Sequence, residues 1–164
     1  MAVADRLREL GLRLPSAPSP LASYVPTRTV PVGEGRALVF VAGQVPITNG
    51  EIDRSHVGRV PEEVSIEAAQ AAARLCALNV LAQVEADGGL DNVEQVASVT
   101  GFVRSSSGFT EQPQVINAAS DLLADVLGEA GRHSRAAIGV SELPRGVAVE
   151  MAAVFVLRTG PASR

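Results

Sequence analysis

Hydrophobic positions change period repeatedly along the chain, and each change marks an element. Val3, Leu7, Leu10 and Leu12 recur at helical spacing and predict one short amphipathic helix. Pro15, Pro18 and Pro20 then stop it and favour an extended strap. From Tyr24 the pattern turns to strands. Arg28 to Val32, a Gly33-Glu34-Gly35 turn and Ala37 to Val41 read as a β-hairpin. The unbroken run Ala37-Leu38-Val39-Phe40-Val41-Ala42 predicts a central strand covered on both faces. Pro46 to Val60 reads as a polar loop.

Two helices follow. Ser65 is the expected N-cap of the first, in which Ile66, Ala69, Ala73, Cys76, Val80 and Val84 repeat at three- and four-residue intervals until Gly88-Gly89. In the second, Ile116, Ala119, Leu122 or Leu123 and Val126 repeat likewise, with Pro113 in the first turn and Gly128 beyond the last. A strand over about Val93 to Arg104 lies between them. Two more, Arg135 to Val140 and Val147 to Leu157, are joined at Leu143-Pro144-Arg145-Gly146. The order β-β-α-β-α-β-β predicts the α+β class, a two-layer sandwich of a mixed sheet, taken as six-stranded, with two helices on one face. Nothing remains in the chain to cover the other face, so a second copy in a closed ring is the expected cover. The expected division is a strap over 1–23, one domain over 24–158 and a tail over 159–164.

Composition narrows the function classes. A chain of 164 residues is the size of one domain. Aromatics are only 3%, so Ala, Val and Leu must fill the core. The formal charge is −4 and every basic residue other than histidine is arginine, with no basic run, which argues against a nucleic-acid partner held through phosphates. Without lysine there is no Schiff-base nucleophile. The single cysteine, Cys76, excludes an intrachain disulfide and fits a reducing compartment. The first residues lack the apolar core of a signal peptide and no stretch suits a bilayer, so a cytoplasmic protein with no membrane partner is expected.

Two charges stand out. Arg135 heads Arg135-Ala136-Ala137-Ile138-Gly139-Val140, where strand alternation gives it Ala137 and Gly139 as neighbours on one face. Such small neighbours leave room, and a planar guanidinium grips a carboxylate through two parallel hydrogen bonds. A surface ion pair at a strand end is the competing reading. Glu150 is the only charge between Val147 and Leu157. A carboxylate there must be paired or have a raised pKa, and a raised pKa suits acid–base work. A structural ion pair is the alternative. A symmetric hairpin centred on Pro144 would put Arg135 and Glu150 on opposite faces, so a bulge, another register or a subunit boundary must intervene if they share a pocket.

The remaining candidates are quieter. Cys76 lies on an apolar helical stripe and reads as core. His56 and His133 lie in polar loops without the spacing of a metal site. Asn117 reads as a solvent-facing or capping group, Gly43 as a turn or a place where a ligand approaches the backbone, and Tyr24 as a ring with a hydroxyl at a cleft. Gly33-Glu34-Gly35 lacks the helix of a dinucleotide fingerprint, which argues against a nucleotide cofactor.

Taken together, Tyr24-Val25, Val41-Ala42-Gly43-Gln44-Val45-Pro46, Gly101-Phe102-Val103, Val115-Ile116-Asn117 and Ser134 to Pro144 followed by Val149-Glu150 resemble the RidA (YjgF) family of imine/enamine deaminases, over roughly Tyr24 to Leu157. The C-terminal block is the most specific part. The resemblance implies a homotrimer of the chorismate-mutase-like fold with a cleft at each subunit boundary. It implies that Arg135 binds the carboxylate of a 2-imino or 2-enamino acid, that Glu150 positions water, and that Tyr24, Gly43, Asn117 and the Ala137 position line the pocket. The implied reaction releases ammonia and a 2-keto acid without a cofactor. Ala137 stands where the family has a cysteine and Ala136 where it has a serine, and both the strap and the segment Asn49 to Glu63 are long. These departures suit a divergent branch with its own substrate. A non-catalytic trimer binding a small metabolite in the same cleft is the alternative, and fold kinship alone does not decide between them.

Overall fold

In the computed structural model, which describes residues 2–20 and 22–160, the elements begin and end where local chemistry starts and stops them. Ser65 Oγ accepts from the Ala68 N–H at 3.1 Å and opens α2, Ile66–Asp87. That bond satisfies one of the donors a first helical turn leaves orphaned. Helix α3, Gln112–Leu127, carries Pro113 in its first turn and stops at Gly128, whose φ is 63°. Upstream, α1 spans Val3–Glu9 and buries Leu7. It is tied to the domain by Arg6 Nε donating to the Asp125 carbonyl and Val3 N donating to Asp91 Oδ1, both at 2.8 Å.

The main sheet contains β1 (Thr27–Gly33), β2 (Arg36–Gln44), β5 (Val93–Arg104), β6 (Ser134–Val140) and β7 (Val149–Arg158). Their order is β1-β2-β7-β5-β6, antiparallel except for the parallel pair β5–β6. Helices α2 and α3 cover one face, and the core lies between: Val39, Val99, Met151 and Phe155 from the sheet meet Cys76, Val80, Ile116 and Leu122 from the helices. Strand β7 shows the alternation plainly. Val149, Met151, Ala153, Phe155 and Leu157 are buried beneath the helices, and the residues between them, Glu150 included, are half-buried on the other face. The α+β sandwich and the lead-in helix are therefore as expected.

Three expectations are corrected. The main sheet has five strands, not six, because β3 (Ile47–Thr48) and β4 (Glu51–Ile52) pair only with each other. They lie within the stretch expected to be a loop, where Asn49 and Gly50, both at positive φ, close a two-residue hairpin. Strand β2 is not covered on both faces within the chain: Val39 and Val41 are buried, but Phe40 on the opposite face is 44% exposed. With Val30 and Ile138 it belongs to an apolar sheet face that no helix among the described residues covers. Finally, β6 and β7 do not form a hairpin about Pro144, because β5 lies between them. Among the described residues no helix is long and apolar enough to cross a membrane.

Candidate functional site

The candidate residues fall into two groups, one on each face of the sheet. Arg135 stands beside Val99 of β5, whose own partner on β7 is Ala153, and these two are buried on the helix side. Glu150 stands beside Phe102, which on its other flank pairs with Ile138. The three-residue offset between Arg135 and Ile138 puts Arg135 and Glu150 on opposite faces. Within one chain they share no pocket.

On the helix side, β6 aims Arg135 at α3. Its Nη1 donates to Asn117 Oδ1 at 2.9 Å and to Ser120 Oγ at 3.0 Å, and Nη2 reaches the Pro113 carbonyl at 3.4 Å. Behind it, His133 Nδ1 lies 2.6 Å from the Gly131 carbonyl, and Nε2 lies 2.9 Å from Ser120 Oγ. A carbonyl only accepts, so Nδ1 carries the proton. In the neutral ring Nε2 therefore accepts from Ser120, whose oxygen is turned to Arg135. The guanidinium is held along its Nη1 side while Nε has no partner among the described residues. A shallow groove of about 280 Å³ opens there, with Ser120, Asp121, His133 and Arg135 in its wall. Asn117, expected from its own pattern to face solvent or cap a helix, is exposed and is also a direct partner of Arg135. Ala137 lies on the same face as Arg135 and packs against the core. The room expected beside Gly139 is taken by the Gln112 amide, which donates to Ser105 Oγ at 3.2 Å and to the Phe109 carbonyl at 2.8 Å.

On the opposite face a cleft of about 700 Å³ is bounded by Tyr24, Ala42, Gly43, Pro144, Arg145 and Glu150. Its geometry depends on a bulge. Val41 pairs with Ala153 but Gln44 pairs with Met151, so Ala42 and Gly43 together oppose Ala152. Such an insertion bends the strand and re-aims the residues around it. Here it brings the Gly43 backbone against Glu150, so closely that a Cβ on Gly43 would run into Glu150 Oε1. Gly43 is needed for that approach. Glu150 makes no hydrogen bond or ion pair with any described residue, and burial pushes its carboxyl above the usual carboxylate range. We expect Gly43→Ala to displace the carboxylate and lower turnover of any substrate by about tenfold or more, an ångström-scale misplacement being that damaging. Steady-state kinetics alongside a thermal melt check this.

Two buried amides of α2, which the apolar stripe of that helix gave no reason to single out, hold the corner of the cleft. Asn79 Nδ2 donates to the Val45 and Ile47 carbonyls at 2.9 and 3.0 Å, and Gln83 Nε2 donates to Pro18 of the strap at 2.6 Å. Their four-residue spacing places both on one helix face. Ser120 escaped, and His133 reads only as a loop residue without metal-site spacing, for a related reason: each is an ordinary polar residue until α3 and β6 meet. The spacing of Asn117 from Ser120 on a helix and of His133 from Arg135 along an extended segment was the available signal. Cys76 is buried in the core, as its stripe predicted, and burial pushes its thiol up.

A family model described as "YjgF/chorismate_mutase-like, putative endoribonuclease" matches residues 4–153. The chain belongs to that family. Protein TCP17 of Trypanosoma cruzi is 43% identical over 157 residues, covering 94% of each chain. The crystal structure of Atu1372 from Agrobacterium tumefaciens is 43% identical with a TM-score of 0.82, covering 94% of this chain and 92% of its own. TdcF of E. coli, solved with bound serine, is 26% identical with a TM-score of 0.58, covering 85% of this chain and 92% of its own. These matches make the chain a divergent member of the YjgF family, and the family model's match begins at residue 4, within α1.

Proposed function

We propose that the protein is a cofactor-free hydrolase of small 2-imino and 2-enamino acids, working as a homotrimer in which the cleft of one subunit receives Arg135 of the next. The observation that carries this reading is Glu150: a half-buried, unpartnered carboxylate seated on the bare backbone of Gly43, with its pKa raised by burial. An unpaired charge in such a place persists where it has work to do. Arg135, restrained by Asn117 and Ser120 with Nε open, is the complementary group for a substrate carboxylate. The exposed apolar sheet face supports assembly with further copies of the chain, and the proposal requires an arrangement in which Arg135 of one copy meets the Glu150 cleft of the next. No membrane and no nucleic-acid partner is proposed; the −4 charge argues against RNA.

The reaction follows from these groups. Arg135 of a neighbouring subunit holds the α-carboxylate, and Glu150 as carboxylate takes a proton from water as its oxygen bonds to the iminium carbon. Glu150 then returns the proton to nitrogen in the tetrahedral carbinolamine, the C–N bond breaks as the hydroxyl oxygen becomes the carbonyl, and the departing ammonia takes up the hydroxyl proton by way of Glu150. The products are a 2-keto acid and ammonium. Tyr24 and Ala42 line the side-chain space, and Ala137, two residues from Arg135 on the same face of β6, is the small neighbour that the next subunit would present beside the guanidinium.

The test is an imino-acid panel generated by an amino-acid oxidase, with semicarbazide trapping the imine. Faster loss of trapped imine and stoichiometric ammonia above the uncatalysed rate are expected from a particle of trimer mass in light scattering. Saturable binding of the same acids without ammonia would favour a non-catalytic metabolite-binding trimer. The structure of TdcF with bound serine gives that second reading its support.

A further inference from the structure

Arg145 occupies a turn whose backbone suits a different residue. Gly146 N donates to the Leu143 carbonyl at 3.0 Å, with Pro144 next and Arg145 at φ 58°, ψ 14°. This is the pattern of a type II turn, whose third residue is ordinarily glycine or asparagine. The other non-glycine residues at positive φ, Glu34 and Asn49, sit in tight β-hairpin turns. Arg145 does not. Its side chain lines the Glu150 cleft, also borders the groove under the Pro18–Pro20 strap, and is bonded to no described residue, Glu150 included. A backbone outlier carrying an unspent guanidinium at a cleft is the kind of observation from which function is inferred.

We infer that Arg145 is a specificity residue that binds a second, distal carboxylate, so that the preferred ligands are dicarboxylic 2-imino acids. The inference rests on the proposed reading, in which Arg135 of a neighbour takes the α-carboxylate; Arg145 then remains for the far end of the same molecule. Charge favours a carboxylate over a phosphate. Arg145 is the only cation among the described residues lining this cleft, and Glu150 already contributes a negative group. A lone guanidinium matches a monoanion bidentately, whereas a dianionic phosphate calls for more donors. The cleft, at about 700 Å³, has volume for more than a three-carbon acid.

Calorimetry with 2-oxoglutarate, 2-oxobutanoate and phosphohydroxypyruvate tests this on wild type, Arg145→Gly, Arg145→Lys and Arg135→Ala. Glycine suits the turn and lysine keeps the charge, so folding is not at stake. Wild type is expected to bind 2-oxoglutarate at least tenfold more tightly than 2-oxobutanoate. Arg145→Gly lowers that ratio at least tenfold, and Arg145→Lys keeps part of it. A wild-type ratio near one, an unchanged ratio in Arg145→Gly, or a preference for phosphohydroxypyruvate overturns the inference. Turnover of the matching imino acids is read separately. Ratios that behave as expected without ammonia release would remove the hydrolase reading and leave Arg145 as a binding determinant.

Discussion

Arg135→Ala should reduce kcat/KM for every 2-imino acid by about two to three orders of magnitude, the size expected when one partner of a desolvated charge pair is truncated. The argument is geometric. Nη1 is bound by Asn117 and Ser120, which fixes the plane of the guanidinium before any ligand arrives. A carboxylate then gains two charge-assisted bonds without ordering a flexible side chain. Arg135→Lys should recover only a fraction, because an ammonium on a flexible stem cannot reproduce the fork. Stability should change little, since Asn117 is exposed and water can replace the lost bond. Wild-type kcat/KM in Arg135→Ala would end the imine-hydrolase proposal.

Glu150→Gln should lower kcat by about two to four orders of magnitude, the usual contribution of a positioned general base, while raising the melting temperature at neutral pH. Both effects have one cause. Burial raises the Glu150 pKa, so the folded chain holds that proton at pH values where the unfolded chain has released it. The stability this protonation contributes is complete below the unfolded pKa and is lost as pH rises through the folded one. Above the folded pKa the ionised group is a burden that glutamine removes, so the stability gap between variant and wild type should shrink on acidification. The same shift should place the acid limb of the wild-type kcat/KM profile above the range of a free carboxylate. Melts and pH profiles on both proteins check this. An active Glu150→Gln, or one that melts below wild type at neutral pH, would show that the carboxylate is structural.

The elements were largely legible because they rest on local chemistry. Ser65 before an apolar stripe, Pro113 in a first turn and Gly128 beyond a last one act within a few residues of themselves. Among the strands, the short β3–β4 ribbon escaped, since Asn49-Gly50 is flanked by runs too brief to show alternation. The site was legible in part. Arg135 and Glu150 betray themselves as charges among apolar neighbours, whereas Ser120, Gln83 and Arg145 do not. An amide on a helix or an arginine in a turn looks like ordinary surface until the fold decides what stands opposite.

By itself, then, the sequence determined that this chain makes an α+β sandwich with an anomalous arginine and glutamate near its C-terminus, because helix stops, strand periods and charge in an apolar run are read over a few bonds. Tertiary structure alone decided where those charges point. Inserting β5 between β6 and β7 moves them two strands apart while the register through Phe102 keeps them on opposite faces, and one extra residue in β2 seats Glu150 on Gly43. Strand order and register are set by long-range packing of the whole sheet against α2 and α3, which no short window of residues contains.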